Sequence, residues 1–176
     1  MAAFTVIDHT EIGVGGAASW TKSSIPSTYD HLLLKISSRS EGGTYYEQLN
    51  LQFNSDTGSN YSYTSIYAAG TTVYSGRGTT TDAIRNLYAN GSSNMANAFG
   101  SINIWIPNYA NASNFKQAIT DSVTENNSTT SWQWTLFTGG GLWQSTAAIS
   151  EVSVSPVAAN DFAQYSTFTL YGVTGA

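Results

Sequence analysis

The chain has 176 residues, a formal net charge of −5, only 10% charged residues and no cysteine. Six Lys and Arg in all cannot supply the clustered cations that a phosphate backbone demands, so nucleic acid is excluded as a partner. The missing cysteine rules out a disulfide frame or a thiolate zinc site.

Hydrophobic content of 41% and aromatic content of 13% are too high for disorder. The Ser, Thr, Asn and Gly that fill the remainder suit sheet surfaces and turns better than exposed helix faces. The length fits a single domain over residues 1–176 with its own core. The N-terminal residues lack the basic start and apolar segment of a signal peptide. No window approaches the roughly 20 apolar residues of a membrane-spanning helix. Neither secretion nor a membrane partner is expected.

Residues 4–7 read as an opening strand, and Gly13, Gly15 and Gly16 mark a turn or bulge. A glycine cluster can cradle phosphate, but the Gly-Lys-Ser/Thr ending and following helix of a P-loop are missing. Residues 19–22 read as a second strand. In residues 30–39, Leu32, Leu34 and Ile36 fall on one side of an extended chain, with His31, Lys35 and Arg39 on the other. Leu49-Asn50-Leu51-Gln52-Phe53 alternates apolar and amide, the mark of a half-buried strand. Residues 54–60 form a tight connection, after which Tyr61, Tyr63, Ser65 and Tyr67 share one face.

Residues 68–97 are expected to be a long connection with one short strand near Val73. Within it, residues 82–88 form either a helical turn or a short strand. Regularity returns with Ile102, Ile104 and Ile106, closed by Pro107. Residues 115–123 are the next strand. Trp132, Trp134 and Leu136 then share a face opposite Gln133 and Thr135, and Gly139, Gly140 and Gly141 break the chain before Trp143. Between residues 148 and 154 the apolar positions change face, as a β-bulge would make them. A strand over residues 168–173 ends the chain. About eight to ten strands joined by turns predict an all-β, jelly-roll-like antiparallel β-sandwich. Trp20, Phe53, Trp132, Trp134 and Phe168 are expected to fill its core.

Catalytic chemistry finds little footing. Asp8-His9 and Asp30-His31 are neighbours in extended chain, so their side chains point to opposite faces and neither pair is an orienting contact. No Gly-x-Ser-x-Gly elbow occurs. The eleven carboxylates are scattered singly, so no glycosidase pair stands out. Asn54, Asp56, Gly58 and Asn60 alternate like a calcium loop, but the glycine is one place early and Ser65 holds the twelfth position. A side-chain-bonded turn is the expectation there. No metal, cofactor or catalytic residue is assigned.

Binding has more support. Trp105 and Phe137 lie on the polar sides of their strands, Trp143 follows the triple glycine, and Tyr63 and Tyr67 form a row open to solvent. Planar rings flanked by amides and hydroxyls suit either a sugar or a protein interface. These five residues are the interface or glycan-binding candidates, with subunit contact preferred.

Several segments, in order through nearly the whole chain, resemble a family of small β-sandwich virion proteins of tailed bacteriophages. A Ser/Thr-x-Tyr-x-His-Leu strand entry is met by Ser27-Thr28-Tyr29-Asp30-His31-Leu32, with Arg39 at the strand end. A Phe-Asn-x-Asp-Thr-Gly-x-Asn-Tyr turn is met by residues 53–61. An Ile-Pro-x-Tyr-Ala segment is met by Ile106-Pro107-Asn108-Tyr109-Ala110, with Lys116 soon after. Residues 143–149 match Trp-x-x-Thr-x-Ala-Ile. Asn160-Asp161-Phe162 and a Ser-x-Phe-Thr-Leu-Tyr-Gly ending at Gly172 complete the set.

The resemblance implies a non-enzymatic, homotrimeric structural protein of the virion, assembled in the host cytoplasm, with the major capsid protein or other virion proteins as partners. Related modules serve as capsid decoration (cement) proteins or as tail-fibre tips. A chain that opens almost directly on a strand, with no shaft segment, suits the decoration role. The alternative is a receptor-binding tail-fibre module that recognises a host glycan. A free-standing lectin or carbohydrate-active domain is the third reading.

Overall fold

The described residues, 3–130 and 135–175, form twelve strands and no helix in the computed structural model. They are β1 (Ala3–Glu11), β2 (Trp20–Lys22), β3 (His31–Ser38), β4 (Tyr46–Phe53), β5 (Tyr61–Ala69), β6 (Thr72–Thr81), β7 (Ile84–Asn90), β8 (Gly100–Pro107), β9 (Lys116–Thr124), β10 (Thr135–Trp143), β11 (Val152–Pro156) and β12 (Thr167–Thr174). One sheet has eight strands in the order β1-β12-β3-β8-β9-β10-β5-β6, the other four in the order β2-β11-β4-β7. All named strand pairings are antiparallel. The chain is an all-β sandwich, as its alternating pattern predicts.

The core follows from period-two burial. Leu32, Leu34 and Ile36 of β3 lie directly beside Ile106, Ile104 and Ile102 of β8, and Leu34 also beside Leu170 of β12. Across the gap Leu51 pairs with Val154, and Phe53 with Val152. All are buried, each contributing roughly 1.5–3 kcal/mol for the large aliphatic or aromatic side chain withdrawn from water. Trp20 stacks on Phe168 at 5.3 Å and joins the two layers.

Four expectations are corrected. Residues 68–97 are mostly two strands rather than a connection: the short strand expected near Val73 extends over the whole of β6, and of the two readings of residues 82–88 the strand is found, as β7; β6 is a Gly- and Thr-rich edge strand whose weak pattern reflects having no core side to fill. The triple glycine does not break the chain. It lies inside β10, paired with β9 and β5 throughout, where Gly141 leaves space for Ile84, which a methyl group would meet at 2.4 Å. The change of face near Ile149 is not a bulge. The Asn54 amide oxygen accepts the Ser150 and Glu151 N–H groups at 2.8 and 3.0 Å, and the strand begins only at Val152. On β10 the inward face carries Thr135, Phe137, Gly141 and Trp143, while Leu136 points out. The proposed core residues Trp132 and Trp134 lie outside the described residues.

Just beyond β3, Arg39 organises the segment that leads into β8. Its guanidinium donates to four carbonyls, Met95 and Ala98 at 2.9 and 3.1 Å through Nη1, and Ser92 and Asn94 at 2.8 and 3.2 Å through Nη2. Only a planar fork reaches four acceptors at once. Arg39→Gln is expected to cost about 2 kcal/mol, the scale of charge-assisted hydrogen bonds. Amide exchange would quicken at Asn94 and Ala98 but not in β3; unchanged exchange there would contradict the assignment.

Candidate functional site

The last strand of the small sheet, β7, packs over β9 and β10 and reaches β5. Strands β5 and β6 run out past it, leaving a recess of about 260 Å³ between the sheets. Tyr46, Gln48 and Tyr88 line it from the small sheet, Tyr63, Ser65 and Tyr67 from β5, Arg77 from β6 and Phe137 from β10. Phe137 stacks on Tyr88 at 3.9 Å and on Tyr67 at 4.5 Å, Tyr67 stacks on its other side on Tyr74 at 5.2 Å, and Tyr46 meets Tyr88 edge-on at 5.7 Å. Tyr63 lies against the β6 backbone, where a methyl group on Gly78 would come within 2.5 Å of its ring.

The hydroxyls of these rings are close enough to influence one another. Burial, then Tyr67, pushes Tyr46 above the ordinary phenol value. Burial, then Tyr63, Tyr46 and Tyr67, pushes Tyr88 up further. The Tyr88 hydroxyl accepts from Gln48 Nε2 at 2.9 Å. Among the described residues the hydroxyls of Tyr46, Tyr63 and Tyr67 make no hydrogen bond. Arg85, at the margin, is committed to Asp82 at 2.6 Å and to the Asn50 amide at 2.7 Å.

Of the five predicted site residues, the structure brings Tyr63, Tyr67 and Phe137 together and leaves Trp105 and Trp143 elsewhere. Two expectations fail on burial. Phe137 is 4% exposed and forms the floor of the recess, because β10 turns this face inward. Trp143 is 2% exposed, packed on Phe53 and Tyr61, with its indole N–H donated to Asp56 at 2.7 Å, so it presents no ring to a partner. Trp105 is half-buried on the outer face of the large sheet, 5.0 Å from the His31 ring. Tyr46 and Tyr88 escaped the sequence reading. Tyr88 ends residues 82–88, which the sequence leaves between a helical turn and a short strand, so the side its ring takes is not assigned there.

The other candidates resolve into structural roles. The Asp56 carboxylate accepts from Gly58 N–H at 2.8 Å, from the Asn60 amide at 3.0 Å and from Trp143, so its oxygens face donors within the turn. His9 Nδ1 bonds the Thr169 hydroxyl at 2.8 Å, and His31 Nδ1 accepts the Asn108 N–H at 3.1 Å. Among the described residues no three His, Cys, Asp or Glu side chains stand where they could hold a metal.

A second surface is unusual in its polarity. On β9 and β10, Lys116, Thr120, Ser122, Thr124 and Thr135 face the interior and are buried. Ile119 and Leu136 face out, 56% and 53% exposed, with Val123 beside them. Val123, Leu136, Ala68 and Val73 pair directly across β9, β10, β5 and β6, an unbroken apolar row. The inward polar groups are bonded: Thr124 to Thr135 at 2.8 Å, and the Lys116 ammonium to the carbonyls of Asn114 and Thr146 at 2.7 and 3.2 Å. Burial lowers the Lys116 pKa. Where Thr124 and Thr135 face in and Val123 and Leu136 face out, the hairpin is therefore inverted relative to a strand pair that faces water, while Ala118, Phe137 and Trp143 keep the ordinary sense.

Comparison with protein-family models, curated proteins and solved structures finds no match for the chain.

Proposed function

We propose that the protein is a non-enzymatic virion structural subunit of a tailed bacteriophage. In this reading it is a capsid decoration (cement) protein that acts as a homotrimer and binds neighbouring shell protein through the outer face of its eight-stranded sheet. The observation that carries the contact role is the inverted polarity of β9 and β10. Large apolar side chains held in open water contribute nothing to the monomer's stability, and contiguous exposed apolar surface marks an interaction site. The virion setting rests on the motif resemblance. The strand order supports the jelly-roll form of that resemblance: with β1, β12 and the β9–β10 pair set aside, the sheets read 2-11-4-7 and 3-8-5-6, two interleaved Greek keys. The test is electron microscopy of labelled protein on purified particles. Stoichiometric label on DNA-filled heads is the expected result, and label confined to the tail end would overturn the decoration role.

The recess favours a second reading, a receptor-binding module for host glycans, because hydroxyls with no partner among the described residues are what a sugar's own hydroxyls need.

A further inference from the structure

We infer that the recess between β5–β6 and β4–β7 is a subsite for one sugar ring, hydrogen-bonded by the hydroxyls of Tyr46, Tyr63 and Tyr67. The inference deepens the glycan-binding reading and names the site and the ligand size that reading leaves open.

The contrast with the protein's other buried tyrosines carries the argument. Tyr61 donates its hydroxyl to the Phe53 carbonyl, and Tyr109 donates to the Pro26 carbonyl. The fold thus supplies partners where a tyrosine only fills the core. In the recess it supplies one for Tyr88 and, among the described residues, none for the hydroxyls of Tyr46, Tyr63 and Tyr67, three half-buried residues that line one space. Each can donate once and accept twice, the complement of a polyol.

Size narrows the class. The volume of about 260 Å³ falls just below the roughly 300–1,000 Å³ of drug-sized sites, which suits a single ring rather than a branched ligand. The rings of Tyr74, Tyr67, Phe137 and Tyr88 cover one another's faces in a column, so the ligand meets ring edges and hydroxyls. Arg85 is held by Asp82 and Asn50, whereas Arg77 of β6 is exposed and lines the same recess, so a carboxylate on the sugar is admitted beside it.

The test titrates the isotope-labelled full chain with lactose, maltotriose and chitotriose, and separately with trigalacturonate, following backbone amides by NMR. At least one of these sugars is expected to move Ser65, Gly76 and Gly78. Tyr63→Phe and Tyr67→Phe keep the rings and the thermal midpoint, and each should weaken binding about three- to tenfold, the worth of one neutral hydrogen bond. Unchanged affinity in both variants overturns the assignment, as does a binding footprint away from the recess. In that last case the glycan reading stands and only the subsite falls. If no sugar moves any resonance, both fall.

Discussion

Asp56→Ala is expected to lower the unfolding free energy at neutral pH by about 3 kcal/mol. Three donors converge on this carboxylate: the Trp143 indole, the Gly58 N–H and the Asn60 amide. Trp143 is buried against Phe53 and Tyr61, so truncation strands its N–H with nothing to bond, a cost of about 1–3 kcal/mol by itself. The turn loses its two remaining bonds as well. The same contacts, the indole first, hold the Asp56 pKa below its ordinary 3.8. A depressed carboxylate contributes its stability above the unfolded value and loses it as pH falls through the folded one. Urea unfolding should therefore show the gap between wild type and variant wide at pH 7 and narrowed near pH 2.5. Glu151, also lowered by its bonds to Ser23 and Ser55, keeps part of the acid sensitivity in the variant. An equal gap at both pH values would refute the account, because the ionised form would then not be what the turn stabilises.

Which parts of this architecture were legible follows from where each strand sits. Strands β3, β4, β8 and β12 bury one face against the opposite sheet, so Leu32, Leu34, Ile36 and their partners announce themselves by alternation. Edge strand β6 has no such face, and its glycines and threonines read as loop. Strand β10 misled in a different way. Its apolar Leu136 faces out and Thr135 faces in, so a rule that sends apolar residues inward returns the wrong phase and makes Phe137 look exposed. The recess was half visible: the shared face of Tyr63 and Tyr67 is a period-two fact. Their meeting with Tyr46 and Tyr88 depends on two strands of the other sheet, a tertiary adjacency that spacing along the chain does not encode. The Asp56 turn was read correctly as side-chain-bonded, whereas its tie to Trp143, 87 residues away, was not legible.

The inverted hairpin yields the second large effect. Leu136→Asp should leave the thermal midpoint nearly unchanged, because Leu136 is 53% exposed and outward substitutions of this kind usually stay within about 0.5 kcal/mol. If the proposed decoration role holds, binding to particles should instead fall about a hundredfold or more. Leu136 lies in the middle of the row from Val123 to Val73, so any partner that covers the row must strip water from a new carboxylate with no cation opposite it. Even about 2.7 kcal/mol of unrepaid desolvation corresponds to that hundredfold loss. Ile119→Asp, on the neighbouring strand, should act in the same direction, and Val14→Asp, in the turn between β1 and β2, should have no effect. Occupancy is read by quantifying the protein on purified heads after mixing with undecorated particles. Full occupancy by a folded Leu136→Asp variant would mean that this face meets only water, leaving the exposed isoleucines, valines and leucine of the large sheet without a function.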